Sequence, residues 1–76
     1  MESRNVGTLG SRIRARRKGL GLTQEELANK AEIDRSYIGG VERGQRNVTF
    51  TMLCGICAAL NCDIAFLTTD LPGATE

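Results

Sequence analysis

The 22 residues from Thr23 to Gly44, TQEELANKAEIDRSYIGGVERG, hold two short helix patterns separated by a break of three or four residues. Thr23-Gln-Glu-Glu26 is a capping box: the threonine hydroxyl accepts from the amide three residues on, and the glutamate carboxylate accepts back from the threonine amide. A helix therefore starts at Gln24, turns Leu27, Ala28 and Ala31 inward at helical spacing, and stops near Glu32. Asp34 offers a fresh N-cap. The next helix runs from Arg35 to about Arg43 with Ile38 and Val41 on its core side, and Gly44 supplies the stop. Helices this short cannot bury their apolar faces alone, so the remainder of the chain has to supply more of the same.

It does. Residues 1–6 read as a flexible N-terminal arm, and Thr8 can cap a first helix with Leu9 and Ile13 inside, a basic outer face, and an end near Gly19 to Gly21. Thr49 caps a fourth helix bearing Phe50, Leu53, Ile56, Cys57 and Leu60, and Asp63 caps a short fifth one with Ile64 and Leu67. Residues 70–76, which contain the single proline, Pro72, form a short polar tail. The expectation is all-α, one five-helix domain over residues 7–69 and no strand. With 76 residues in the chain, a fold of this size buries only about 60% of its unfolded surface, and dimerisation is a natural supplement.

A formal net charge of +1 conceals a polarised chain: all ten basic residues lie at or before Arg46, and the last thirty residues carry acids only. A concentrated basic half suits a polyanion, since phosphate neutralisation depends on local cations. No apolar run of about 18 residues and no charged-then-apolar leader is present, which points to a cytoplasmic protein with no membrane partner. A basic first helix lying on a membrane is a weaker reading, because its apolar stripe is thin. Cys54 and Cys57 fall one helical turn apart in an apolar run, with Cys62 nearby; they read as reduced, buried thiols packing as small hydrophobes. A redox-active or metal-binding C-x-x-C is the alternative, but no strand-rich redox-fold pattern surrounds it. Without histidine, zinc would need three thiolates and a carboxylate. No metal, cofactor or catalytic residue is expected, since no nucleophile has an evident base and no phosphate loop occurs; the chain does not read as an enzyme.

A major groove about 12 Å wide admits a helix, and the first turn of the second helix of such a pair presents the base-reading side chains. Here that turn is Arg35, Ser36 and Tyr37. Arg35 can donate two parallel bonds to guanine, Ser36 can bond base or phosphate, and Tyr37 can bond a phosphate or pack on a thymine methyl. Gly39 and Gly40 follow in mid-helix at a cost of about 0.8–1 kcal/mol each against alanine. Either close approach to DNA or another helix requires them, or they mark a loosely constrained surface.

These residues resemble the lambda-repressor and Cro-like, or XRE, helix-turn-helix family over roughly Leu9 to Leu67. The matching positions are Leu9-Gly10, Ile13, Arg17, Gly21-Leu22-Thr23-Gln24, Leu27-Ala28, Ile33, Ile38, Val41-Glu42-Arg43-Gly44, Leu53, Ile56 and Ala59-Leu60. Asp34-Arg35-Ser36-Tyr37-Ile38 and Glu42-Arg43-Gly44-Gln45-Arg46-Asn47 look most like the controller proteins of restriction-modification systems. The resemblance implies a homodimeric regulator of transcription on double-stranded DNA, acting on its own promoter and on a neighbouring restriction gene. It implies that Gln24 clamps a phosphate, that Arg35, Ser36 and Tyr37 read bases, that Arg43, Arg46 and Asn47 follow the backbone or a base edge, and that Arg17 and Glu42 form an internal ion pair. The chain departs from the family at Arg16, where a core aliphatic is usual, at Glu32, where the turn often has glycine, and at Val48, where proline is frequent. Arg16 is expected either to turn outward or to leave Leu20 filling the gap.

One recognition helix reads few base pairs, so two-fold dimers on half-sites about 34 Å apart are expected. Met52, Ile64, Phe66 and Leu67 could form the dimer surface, unless Phe66 folds back onto the core. No effector domain is expected after Leu67. Glu25 either complements the helix dipole or touches RNA polymerase. The rival from another class is an antitoxin-type protein-interaction module on the same fold.

Overall fold

Side-chain caps set four of the five helix starts in the computed structural model, which describes residues 2–71, with side chains from residue 4. The elements are α1 (Glu2–Gly19), α2 (Gln24–Ala31), α3 (Arg35–Glu42), α4 (Phe50–Ala59) and α5 (Ile64–Thr68), with no strand among the described residues. Thr23, Asp34, Thr49 and Asp63 accept from the amides of Glu26, Ser36, Met52 and Phe66 at 3.0, 3.0, 3.1 and 2.9 Å. The capping box closes in the other direction too, with the Thr23 amide donating to Glu26 at 2.9 Å. Two bonds from Ser36, by its hydroxyl and its amide, hold the Asp34 carboxyl below the usual carboxylate range.

The first helix departs from expectation. It begins at Glu2, so residues 2–6 are helical rather than a flexible arm, and Thr8 lies inside the helix rather than capping it. Packing explains the longer helix, because its early turns lie directly on the end of α3. A Cβ on Gly10 would stand 2.2 Å from the Val41 carbonyl oxygen, and one on Gly44 would stand 2.9 Å from the Gly7 Cα. Glycine at these places lets two backbones approach, and that contact outweighs the local capping signal. Met1 and residues 72–76, hence Pro72 and most of the expected tail, lie outside the described residues.

The buried core gathers Ile13 from α1, Leu27 and Ala28 from α2, Ile38 and Val41 from α3, Leu53, Ile56 and Cys57 from α4, then Leu60 and Leu67. Phe50 is 70% exposed. It stands at the first position of α4, a full turn before Leu53, and so projects past the edge of the core. Cys54 departs from expectation and is exposed, outside the inward stripe of Leu53, Ile56 and Cys57. Cys57 is buried, and that burial, reinforced by neighbouring Cys62, pushes its thiol up to about 11. The α2–α3 turn keeps the shape glycine would give it, because Glu32 itself takes the left-handed conformation at φ 59°.

Three arginines of α1 hold the other helices in place. Arg12 donates to the carbonyls of Leu67 and Thr69 at 3.1 and 2.6 Å, closing the end of α5. Arg16 donates to Leu60 and Asn61 at 3.0 and 3.1 Å, closing the end of α4. It neither turns outward nor leaves its place to Leu20, which is 42% exposed. Arg17 makes a two-pronged ion pair with Glu42, at 2.7 and 2.9 Å, and gives a third bond to the Leu22 carbonyl at 2.8 Å. The Glu42 bonds hold the guanidinium pKa above its ordinary value.

Removing one partner of a buried pair leaves an uncompensated charge. Arg17→Ala should lose about 3–5 kcal/mol in denaturant unfolding. Glu42→Ala should lose a comparable amount, and the double variant clearly less than the sum; strict additivity would contradict the pairing. Asp34 gives a second test. Because its folded pKa is lowered, its contribution to stability is complete above the unfolded value of about 3.9 and is lost as pH falls through the lower folded value. An NMR titration of its carboxyl should therefore give a midpoint below about 3.9, and one at or above that value would contradict the cap.

Candidate nucleic-acid interface

The start of α3 is fixed by the Asp34 cap, and the turn that follows presents Arg35, Ser36 and Tyr37. Arg35 and Ser36 are exposed and Tyr37 is half-buried. The Ser36 hydroxyl donates to the Asp34 carboxylate. Its proton is thus turned back onto the cap, and its lone pairs are what it offers outward. The Tyr37 phenol donates to the Asn47 carbonyl at 2.5 Å, which ties the loop after α3 to the first turn of that helix.

The two mid-helix glycines lie at the centre of this surface. The Arg46 side chain runs back over α3, its Cγ 2.7 Å from where a Cβ on Gly40 would stand. Its guanidinium lies over the Tyr37 ring, 5.4 Å from the centroid, in cation–π geometry. Beside Gly39 lie the Arg43 guanidinium and the Gln24 amide, 3.1 and 3.6 Å from the corresponding Cβ position. Gln24 is itself anchored, donating to Glu42 at 3.1 Å, and Arg43 donates to Gln45 at 3.0 Å. The glycines do not mark a loose surface: a side chain of another helix, Gln24 of α2, lies beside Gly39, and side chains from the loop after α3 pass over both. Gln24, Tyr37, Arg43, Arg46 and Asn47 are therefore brought together, with Arg35 and Ser36 one turn away along α3.

Three guanidinium groups and an amide on one side of a short helix are donors suited to phosphate oxygens and to acceptors on base edges, while the Tyr37 proton is taken by the Asn47 carbonyl. On α1, Arg17 is neutralised by Glu42, Arg12 and Arg16 keep their charge but have donors engaged by backbone carbonyls, and Arg14 and Lys18 are exposed.

On the far helices, Phe66 is 55% exposed and does not fold back onto the core, while Met52 and Ile64 are half-buried. Leu67 is wholly buried, which removes it from the expected dimer surface: it shares the inward side of α5 with Ile64, three residues earlier. The Arg16 guanidinium lies over the Phe66 ring at 5.3 Å. With Arg12, Ala15 and Gly19 these two residues line a groove of about 470 Å³ between α1 and α5. The capping duties of Arg12 and Arg16 escaped sequence reasoning, since their acceptors are backbone carbonyls more than 40 residues away that carry no side-chain signature.

A helix-turn-helix family model, HTH_3, matches residues 13–67. The control protein C.SmaI of Serratia marcescens is 41% identical over 61 residues, which cover 80% of this chain and 73% of that protein. The immunity repressor of Bacillus phage phi105 is 40% identical over 58 residues, 76% of this chain, and the match spans only 40% of the repressor's length. The crystal structure of the restriction-modification controller protein C.AhdI from Aeromonas hydrophila superposes with a TM-score of 0.80 at 44% identity, covering 82% of this chain and 94% of that one. The controller protein C.Esp1396I, solved as a tetramer in complex with its natural 35 base-pair operator, superposes with a TM-score of 0.76 at 35% identity over 82% of each chain. By the family match and by relatives that retain the same helices at this identity, the chain belongs to the HTH_3 helix-turn-helix family, where it is similar to the controller proteins of restriction-modification systems.

Proposed function

We propose that this chain is a sequence-specific, double-stranded-DNA-binding transcriptional regulator of controller type, acting as a homodimer on near-palindromic operators. The observation that carries the reading is the gathering of Gln24, Tyr37, Arg43, Arg46 and Asn47 around the glycine side of α3, next to the exposed Arg35. Likeness to a controller protein crystallised on its operator supports the ligand class. In this reading Arg35 takes the guanine edge, the commonest specific contact in the major groove. Ser36, with its proton held by Asp34, accepts from a base amino group. Gln24 keeps one amide hydrogen for a phosphate while the other stays on Glu42. Arg43 and Arg46 follow the backbone, and Asn47 stands at the edge of the groove.

Specificity beyond a few base pairs requires a second copy. Phe66, with Met52 and Ile64, forms the dimer surface, on the opposite side of the charge division from the basic recognition residues. Control of its own promoter and of a neighbouring restriction gene follows from the controller-type resemblance. The ligand assigns the protein to the cytoplasm, and no helix among the described residues is long and apolar enough to cross a membrane.

Binding sites selected from random duplex DNA test this directly. Arg35→Ala should cost about 1–3 kcal/mol on the selected site and relax base preference, whereas Gln24→Ala should weaken all sites alike and reduce the salt dependence. Equal, sequence-independent losses would refute base reading by Arg35. A salt-insensitive affinity together with a stoichiometric copurifying protein would favour an antitoxin-type module instead.

A further inference from the structure

We infer that Gly40 is a positioning residue for the DNA-reading surface: its missing side chain lets Arg46 cross α3 and stack on Tyr37. The inference rests on the proposed DNA-binding function for its consequence, but its geometric half stands without DNA. Gly40 is buried in mid-helix at φ below zero, so no backbone conformation requires glycine there. What requires it is the Arg46 stem. A Cβ at Gly40 would meet the Arg46 Cγ at 2.7 Å and its Cβ at 3.7 Å. The Cβ contact is ordinary, but the Cγ has to move, and because χ1 sets its place the whole side chain beyond it moves to another rotamer. The loop after α3 is tied by the Tyr37 phenol bonding to the Asn47 carbonyl. With the loop held, a methyl group at Gly40 therefore turns the Arg46 side chain to another rotamer and takes its guanidinium off the Tyr37 ring.

Gly39 makes the contrast. A Cβ there would stand 3.1 Å from an Arg43 guanidinium nitrogen, the far end of a flexible side chain, which can swing aside without disturbing the loop. Adjacent glycines in one helix thus have different reasons to be glycine, and only the one at Gly40 sets where Arg46 and Tyr37 stand relative to each other. Stacked and cross-tied in this way, the two side chains meet DNA as one unit, which lowers the ordering cost of binding.

Tyr37 is the only tyrosine and the chain has no tryptophan. The Arg46 guanidinium lies over the Tyr37 ring, and the two phenylalanines, Phe50 and Phe66, stand on α4 and α5, so the ring current felt by the Arg46 side-chain protons reads the stack in the free protein. Gly40→Ala should abolish the upfield shift of those protons, leave the melting temperature unchanged or raised, and weaken binding to the selected duplex by about ten-fold or more. Gly39→Ala should keep the shift. In an Arg46→Ala background, Gly40→Ala should change affinity by less than about two-fold, since the obstructing stem is gone. The inference is overturned if the shift survives in Gly40→Ala, if that variant melts lower than the wild type, or if it weakens binding equally in both backgrounds. Loss of the shift combined with wild-type affinity of Arg46→Ala would instead refute the assignment of Arg46 to DNA, while the positioning by Gly40 stands.

Discussion

The Arg17 guanidinium is the point at which the three helices of the recognition half meet. It takes both carboxylate oxygens of Glu42 at the end of α3 and the Leu22 carbonyl ahead of α2, and Gln24 at the start of α2 closes the set on Glu42. Burying two charges carries a desolvation cost of several kcal/mol per ion, so such a pair contributes net stability only when its geometry is good and the other donors are satisfied. Both conditions hold: among the described residues no buried side-chain nitrogen or oxygen lacks a partner. An apolar pair of the same volume could fill the space, but would supply none of these directed bonds between α1 and α3. The directed bonds and the close backbone contact at Gly10 select the same register of α3 on α1.

From this register the presentation of α3 follows. With Glu42 held and Ile38 and Val41 buried in the core, the opposite side of the helix is turned away from the core, with side chains passing over Gly39 and Gly40, and the Asp34 cap orients its first turn. The groups meant to meet a ligand are then ordered in advance by weaker ties: Gln24 by Glu42, Arg46 by Tyr37, and Tyr37 by the Asn47 carbonyl. Side chains already confined in the free protein lose less freedom on binding. Arg35 is the exception, exposed at the start of α3.

Much of this was legible in the sequence, because capping and helical spacing are local. Thr23, Asp34, Thr49 and Asp63 mark four helix starts where the structure has them, and Leu27, Ala28, Ile38, Val41, Leu53 and Ile56 are core as their spacing implies. The Arg17–Glu42 pair was visible only through family resemblance. What could not be read depends on where distant segments meet. The start of α1 is decided by packing on α3 rather than by Thr8, the exposure of Phe50 by where the core ends, and the burial of Leu67 by how α5 lies on α1. Arg12 and Arg16 hold backbone carbonyls, which any sequence could offer. Gly39 and Gly40 announced themselves as a mid-helix anomaly, but the side chain that passes over Gly40 comes from the loop beyond it.

If the outward side of α3 and the loop fastened to it are the DNA-reading surface, amide chemical-shift mapping locates that surface directly. On titration with a duplex selected from random sequence, the amides of Gln24, Arg35, Ser36, Tyr37 and the segment from Arg43 to Asn47 should shift most, with the interior of α4 little changed. Shifts centred on α4 and α5, with none at Arg35 to Tyr37, would contradict the assignment.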